Sequence, residues 1–111
     1  MLRILLADDH AVVRQGVKQI LAEAFAQATF GEARNAHELL ELVNSERWDI
    51  VVLDLTMPGG NGLESLKQIK IDHPQLPVLI LTISYGHLNT TFRILQARLR
   101  SQAYFQIGQF V

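Results

Sequence analysis

The chain has 111 residues, of which 49% are hydrophobic and 19% charged, and its net charge is −1 at pH 7. This composition fits one globular domain with a real core, and it excludes a disordered chain and a broadly basic nucleic-acid surface. The absence of cysteine excludes disulfides, thiolate catalysis and zinc–thiolate sites, and is typical of a reducing compartment.

The first half of the chain alternates apolar runs of strand length with helical patterns. Residues 2–7 predict a buried parallel strand, and residues 28–33 predict a short second strand that Gly31 weakens. Between them lies the apolar stripe of a predicted first helix: Val13, Val17, Ile20, Leu21 and Ala24. Asn35 is predicted to cap a second helix, with Glu38 completing a capping box. The stripe of that helix is Leu39, Leu42 and Val43.

The second half continues the alternation. Residues 48–53 predict a third strand leading into Asp54, and residues 57–62 form a dense turn signal. A third helix follows, and residues 77–81 predict a fourth strand leading into Thr82. The apolar stripe of the third helix is Leu63, Leu66 and Ile69, and a further helical face is formed by Leu88, Phe92, Leu95 and Leu99. Residues 103–107 predict a fifth strand, so the sequence indicates one α/β domain over residues 1–111.

Three aspartates follow two of the predicted strands. Asp8 and Asp9 come directly after the first strand, and Asp54 comes directly after the third. In open α/β sheets, ligands bind beyond the carboxyl ends of the strands, at the point where the strand order reverses. If these two strands are neighbours, three carboxylates meet there, and their repulsion requires a cation or a raised pKa.

A structural explanation competes for one of these residues. An aspartate ahead of a helix is often only an N-cap, and Asp9 suits that role. The joint pattern of three carboxylates, each after an apolar strand, favours a site instead. Of the four histidines, His10 adjoins the acidic site and could tune it, although an exposed bystander is the more ordinary interpretation.

The chemistry available to such a site is that of a hard cation. Oxygen ligands suit Mg²⁺, which usually takes one or two carboxylates together with waters and a phosphate. We predict Asp9 and Asp54 as direct ligands, Asp8 acting through a water, and the carbonyl of Thr56 nearby. A carboxylate can also be the nucleophile of phosphoryl transfer, and Asp54 is the candidate for that role.

Three segments of the chain closely resemble response-regulator receiver domains of the NarL/LuxR (FixJ) subclass. They are residues 4–10 followed by Arg14 and Gly16, residues 51–64, and residues 77–82. The resemblance implies a flavodoxin-like (CheY-like) doubly wound parallel sheet of strand order 2-1-3-4-5. It also implies that Asp54 accepts a phosphoryl group from a sensor histidine kinase. Asp8 and Asp9 would hold Mg²⁺ with Thr56, and Thr82 would be the switch hydroxyl of a transcription-related output.

The last quarter of the chain departs from that pattern. Receivers place a lysine at the end of the fifth strand; counting from Tyr104 the position is Ile107, and no lysine follows Lys70. Arg98 and Arg100 are poor replacements, because a guanidinium is a rigid fork. We expect neither a fifth helix nor a DNA-binding domain before Val111, and no nucleic acid bound by this domain.

These departures leave two alternatives to an active switch. The first is a degenerate receiver that acts as a phosphorylation-independent dimerisation module, since an uncovered sheet edge would favour a homodimer or strand-exchanged oligomer. The second is a haloacid-dehalogenase-type hydrolase, which would need an aspartate where Thr56 stands. We otherwise expect no enzyme acting on an external substrate. With no signal-peptide pattern and no apolar stretch near the ~20 residues of a membrane span, we expect a cytoplasmic protein without a membrane segment.

Overall fold

The computed structural model describes residues 2–55, 62–81 and 106–107. Five parallel strands form one sheet in the order β2-β1-β3-β4-β5. The strands are β1 (Arg3–Ala7), β2 (Thr29–Ala33), β3 (Ile50–Asp54), β4 (Val78–Leu81) and β5 (Gln106–Ile107). The helices are α1 (Ala11–Ala24), α2 (Ala36–Ser45) and α3 (Gly62–Asp72). This is the predicted doubly wound strand order.

The predicted bounds of the first four strands hold to within two residues. The largest difference is at β3, which starts at Ile50 because Trp48 and Asp49 precede the ladder. Of the predicted fifth strand, only Gln106–Ile107 is described, and it pairs with Ile80 and Leu81 of β4. The predicted helical face after β4 and the expected lack of a fifth helix concern residues outside the described ranges. No helix within those ranges has the length and apolar character needed to cross a membrane.

Apolar side chains cover both faces of the sheet. The larger cluster joins the sheet to α2 and α3, and its largest fully buried members are Leu5, Leu39, Val51, Leu53, Leu66, Ile69, Val78 and Ile80. The smaller cluster lies on the face of α1 and contains Ile4, Leu6 and Val52. Strands buried on both faces explain why β1 and β3 are continuous apolar runs.

The stripe predicted for α1 is wrong at two of its five positions. Val13, Val17 and Leu21 pack against the smaller cluster, but Ile20 is 67% exposed and Ala24 is exposed. The sheet-facing side also carries Arg14 and Lys18, whose cationic groups lie 2.7 Å and 3.7 Å from the carboxylate of Glu32 on β2. A hydrophobic count misses this face because it gives no weight to charged residues with long aliphatic stems.

Gly31 has a packing role in the core that the sequence did not indicate. The ring of Trp48, a residue only 9% exposed, occupies the space that a side chain at position 31 would need. The indole N–H of Trp48 donates to the carbonyl of Leu42 at 2.9 Å, which fixes the ring. Gly31 therefore admits the aromatic ring that closes this end of the core.

The start of α2 confirms Asn35 as the N-cap and corrects its partner. The side chain of Asn35 accepts a hydrogen bond from the N–H of Glu38 at 2.8 Å. The carboxylate of Glu38 accepts from the N–H of Arg34, at 2.8 Å, rather than from the cap residue itself. The reciprocal bond of the capping box is thus displaced by one residue, and the guanidinium of Arg34 also pairs with that carboxylate.

Candidate functional site

Strand register brings two aspartates to one level of the sheet. β1 and β3 are neighbours, and Ala7 is paired with Leu53. Asp8 and Asp54, the next residue of each strand, therefore lie side by side at the carboxyl end. The N–H of Asp8 also donates to the carbonyl of Ala33 at 3.0 Å, which continues the ladder toward β2. This is the crevice where the strand order reverses, as predicted from the sequence.

The carboxylates at this crevice are withdrawn from water. Asp8 is 3% exposed and Asp54 is 1% exposed, whereas the side chain of Asp9 is 20% exposed. One carboxylate oxygen of each aspartate and one ring nitrogen of His10 all lie within 4.8 Å of one another. Within the described part of the chain, Oδ2 of Asp8 is buried without a hydrogen-bond partner. We call these four residues the acidic cluster.

The acidic cluster raises the pKa of Asp8. The main cause is burial, which disfavours the charged carboxylate, and the nearby charge of Asp54 adds to the shift. Hydrogen bonds from His10, mainly that of its backbone N–H to Oδ1 of Asp8 at 2.8 Å, act in the opposite direction. The net effect is a carboxylate whose charged form is disfavoured unless a proton or a cation binds it.

Asp9 is not the N-cap of α1. The cap residue is His10, whose side chain makes no capping hydrogen bond, and the helix begins at Ala11. The carboxylate of Asp9 is directed instead to the acidic cluster, where its Oδ1 lies 3.0 Å from Nδ1 of His10. The N-cap alternative raised by the sequence is therefore wrong for this residue.

His10 is exposed but not a bystander. Its side chain is 61% exposed, yet Nδ1 approaches Oδ1 of Asp9 at 3.0 Å and Oδ1 of Asp8 at 3.3 Å. The bystander interpretation foresaw the exposure and missed both contacts. The only sequence signal for these contacts was that His10 directly follows Asp9. The turn that brings the ring back toward the carboxylates cannot be predicted from residue spacing.

Arg14 supports the loop that carries the aspartates. Its Nη1 donates to the backbone carbonyl of Asp8 at 2.7 Å, and its Nε donates to Glu32 at 2.7 Å. The Arg14 side chain is 12% exposed, and its hydrogen bond is the main reason that the pKa of Glu32 is lowered. One guanidinium therefore ties α1, the end of β1 and strand β2 together behind the acidic cluster.

Gly62 supports the chain on the other side of the cluster. A side chain at this first residue of α3 would overlap the backbone of Leu55, the residue after Asp54, with its Cα only 2.7 Å from the added carbon. The close approach brings α3 against the end of β3. Thr56 and Thr82, predicted as a metal ligand and a switch hydroxyl, lie outside the described residues, as does most of the predicted turn between Asp54 and α3.

The residues present fit a hard divalent cation. They offer oxygen donors from three carboxylates, one buried oxygen of Asp8 without a partner among the described residues, and a surplus of negative charge. Mg²⁺ and Ca²⁺ both take such donors, and the limited number of carboxylates favours the smaller ion.

A parallel sheet of order 2-1-3-4-5 with an acidic cluster at its switch point defines a CheY-like receiver fold. The sequence model of the response regulator receiver domain family matches residues 4–102 of this chain. The chain belongs to this family, the receiver domains of two-component systems.

Two relatives place the chain near the NarL/LuxR subclass, as the sequence motifs predicted. It is 40% identical over 88 residues to the transcriptional regulatory protein YdfI of Bacillus subtilis, covering 79% of this chain and 41% of that protein. It is 40% identical over 81 residues to the nitrate/nitrite response regulator NarL of Escherichia coli K12, covering 73% of this chain and 38% of that protein. The chain thus spans about two fifths of the length of either relative.

A solved structure has a similar fold. It is the response regulator protein TrrA of Thermotoga maritima in complex with Mg²⁺–BeF. The TM-score is 0.80 at 29% identity, with 98% of this chain and 89% of that chain covered.

Proposed function

We propose that this receiver domain accepts a phosphoryl group on Asp54, in a reaction that depends on Mg²⁺. The observation that carries the proposal is the juxtaposition of Asp8 and Asp54, both buried, at the carboxyl ends of adjacent strands. Membership of the receiver family supports it, and so does the Mg²⁺–BeF complex of the T. maritima relative. The donor would be the phosphohistidine of a sensor histidine kinase.

Each residue has a distinct part in the proposed reaction. A carboxylate oxygen of Asp54 attacks the phosphorus, the phosphorus–nitrogen bond of the donor breaks, and the departing imidazole takes up a proton. Asp8, Asp9, Asp54 and the carbonyl of Thr56 would hold Mg²⁺, which when bound offsets negative charge between the carboxylates and the incoming phosphoryl oxygens. The hydroxyl of Thr82 would hydrogen-bond the acquired group and so register it.

The output is proposed to concern transcription. The two relatives are named as a transcriptional regulatory protein and a nitrate/nitrite response regulator, and neither name describes an enzyme acting on an external substrate. We therefore propose a phospho-switch located in the cytoplasm. Membership of the receiver family supports this switch over the hydrolase alternative.

The test is incubation with Mg²⁺ and acetyl phosphate, followed by intact-mass measurement. We expect wild type to gain one phosphoryl group and Asp54→Asn to gain none. Asp49→Asn is the matched control, because Asp49 lies just before the same strand, at its opposite end, and should be phosphorylated normally. Failure of wild type, or equal labelling of Asp54→Asn, would contradict the proposal.

One observation favours a second candidate function. No lysine follows Lys70, so the cation that receivers place on the fifth strand is missing. The chain could then serve as a phosphorylation-independent interaction module, and in the described residues β5 pairs with only two positions of β4. Such a module would associate through the sheet edge. Sedimentation velocity at rising concentration tests it: a dimer that forms without phosphorylation supports it, and a monomer throughout contradicts it.

A further inference from the structure

We propose that His10 makes the acidic cluster a mixed imidazole–carboxylate site that binds divalent transition-metal ions, with Ni²⁺ as the probe, through a nitrogen ligand that Mg²⁺ does not use. The inference concerns the same pocket as the proposed Mg²⁺ site and rests on that pocket binding cations. It goes beyond the proposed function, because it assigns His10 a direct metal bond and the site a preference among metals.

The spacing of the donor atoms supports a shared ion. Nδ1 of His10 lies 3.0 Å from Oδ1 of Asp9 and 3.3 Å from Oδ1 of Asp8. Two ligands at right angles on one metal, each with a bond of about 2.1 Å, are about 3.0 Å apart. The nitrogen and the two oxygens are thus already separated like adjacent ligands of one ion. Each of the four residues, Asp54 included, offers one ligand atom within 4.8 Å of the others, so a small contraction would suffice.

Two features show that this is more than a surface group of acids. Asp8 is only 3% exposed, and its Oδ2 has no hydrogen-bond partner among the described residues. The N–H of His10 donates to Oδ1 of Asp8 at 2.8 Å, which fixes the backbone from which the ring turns toward the carboxylates. The ring nitrogen of His10 therefore lies 3.3 Å from Oδ1 of a buried carboxylate whose other oxygen, Oδ2, has no partner among the described residues.

The donor set determines the metal class. Imidazole nitrogen suits nickel, copper, zinc and iron, whereas magnesium and calcium prefer carboxylate, carbonyl and water oxygens. Any carboxylate site binds Ni²⁺ more tightly than Mg²⁺, so affinity alone proves nothing. What His10 adds is a component of Ni²⁺ affinity that disappears with its ring while Mg²⁺ affinity stays nearly constant.

His37 provides a matched control on the same molecule. Its side chain is 87% exposed, and Nε2 lies 3.4 Å from a single carboxylate, that of Glu41 on the next turn of α2. It is a histidine beside an acid without a second or third carboxylate at ligand distance among the described residues. Replacing it should leave the acidic cluster intact.

The experiment titrates wild type, His10→Ala and His37→Ala separately with NiCl₂ and MgCl₂ by isothermal calorimetry, without any phosphodonor. We expect His10→Ala to weaken Ni²⁺ binding about tenfold or more and to change Mg²⁺ binding less than about twofold. His37→Ala should match wild type with both metals. Because the side chain of His10 is 61% exposed, its truncation should leave the fold intact, and circular dichroism checks this.

Three results would overturn the inference. One is a loss of Ni²⁺ affinity no larger in His10→Ala than in His37→Ala. Another is an equal change for both metals in His10→Ala, which would mean a general effect on the pocket. The third is tighter binding of both metals, which would mean that the ring competes with cations as a positive charge. If wild type is phosphorylated with Mg²⁺ and any of these results is obtained, only the Ni²⁺ inference fails and the proposed function stands. If wild type takes no phosphoryl group but binds Ni²⁺ in a His10-dependent way, the proposed function fails and the Ni²⁺ inference stands.

Discussion

The two ends of the parallel sheet hold carboxylates in opposite electrostatic states. At the amino end of the strands, Asp49 accepts a hydrogen bond from the N–H of Arg3 at 2.7 Å, and Glu46 pairs with the Arg3 guanidinium at 2.7 Å. At the carboxyl end, Asp8 and Asp54 are buried next to each other, and the pKa of Asp8 is raised. The carboxylates at the amino end each have a donor on Arg3, whereas those at the carboxyl end stand against one another.

The largest effect on this contrast is expected from Arg14, the residue that supports the acidic end. Arg14→Ala removes the hydrogen bonds to the carbonyl of Asp8 and to Glu32, and leaves the buried carbonyl without this donor. We expect a loss of about 1–2 kcal/mol in the free energy of unfolding, measured by urea denaturation. Weaker Mg²⁺ binding should accompany it, because the Asp8 loop loses its anchor.

The control for Arg14 is Arg34→Ala. Arg34 also pairs with a glutamate, at 3.1 Å from Glu38, but on the exposed surface of α2. Its removal should change neither stability nor Mg²⁺ affinity measurably. Equal effects of the two substitutions on Mg²⁺ affinity would contradict a supporting role for Arg14.

Neutralising one carboxylate at each end should change stability in opposite directions. Asp8→Asn removes a buried charge that lies against Asp54, so the metal-free protein should gain on the order of 1 kcal/mol. Asp49→Asn weakens the hydrogen bond from Arg3 and should lose on the order of 1 kcal/mol. Urea denaturation in the presence of a chelator measures both. If both substitutions lowered the free energy of unfolding, the proposed electrostatic difference between the two ends of the sheet would be contradicted.

A smaller effect is expected from pH. The pKa of Asp8 is raised in the folded state, so the folded protein binds this proton more tightly than the unfolded chain does. Its contribution to stability is therefore fully present below the unfolded pKa of about 3.9 and is lost as pH rises through the folded pKa. The difference in the free energy of unfolding between Asp8→Asn and wild type should therefore increase as pH rises through the folded pKa of Asp8. A gap that is constant from pH 3.5 to 7 would contradict the raised pKa.

The sequence predicted the sheet well because buried parallel strands leave a simple pattern. β1 and β3 are continuous apolar runs followed by or ending at aspartates, so their bounds followed directly from the pattern. Their adjacency was implied by the resemblance to receiver domains. The helix facing β1 was predicted less well. Arg14 and Lys18 on that face are charged, and their contacts with Glu32 depend on a strand that is remote in sequence.

At the site, residue types were predictable and local turns were not. The meeting of Asp8 with Asp54 followed from strand topology. The turn that makes His10 the helix cap contains hydrogen bonds to Asp8 from the N–H of His10 and from Arg14, and these do not follow from the residue pattern. The roles of Gly31 and Gly62 depend on what lies against them, Trp48 in one case and Leu55 in the other. Such contacts are tertiary, so spacing along one chain does not reveal them.

The central claim is that the acidic end of the sheet is kept in negative excess in order to bind a divalent cation. The most direct measurement is the free energy of unfolding as a function of Mg²⁺ concentration. An ion that binds only the folded state raises this free energy by RT ln(1 + [Mg²⁺]/Kd), so the rise continues as the concentration increases. We predict a rise for wild type and Asp49→Asn, and little or none for Asp8→Asn and Asp54→Asn. An equal rise in all four proteins would contradict the claim.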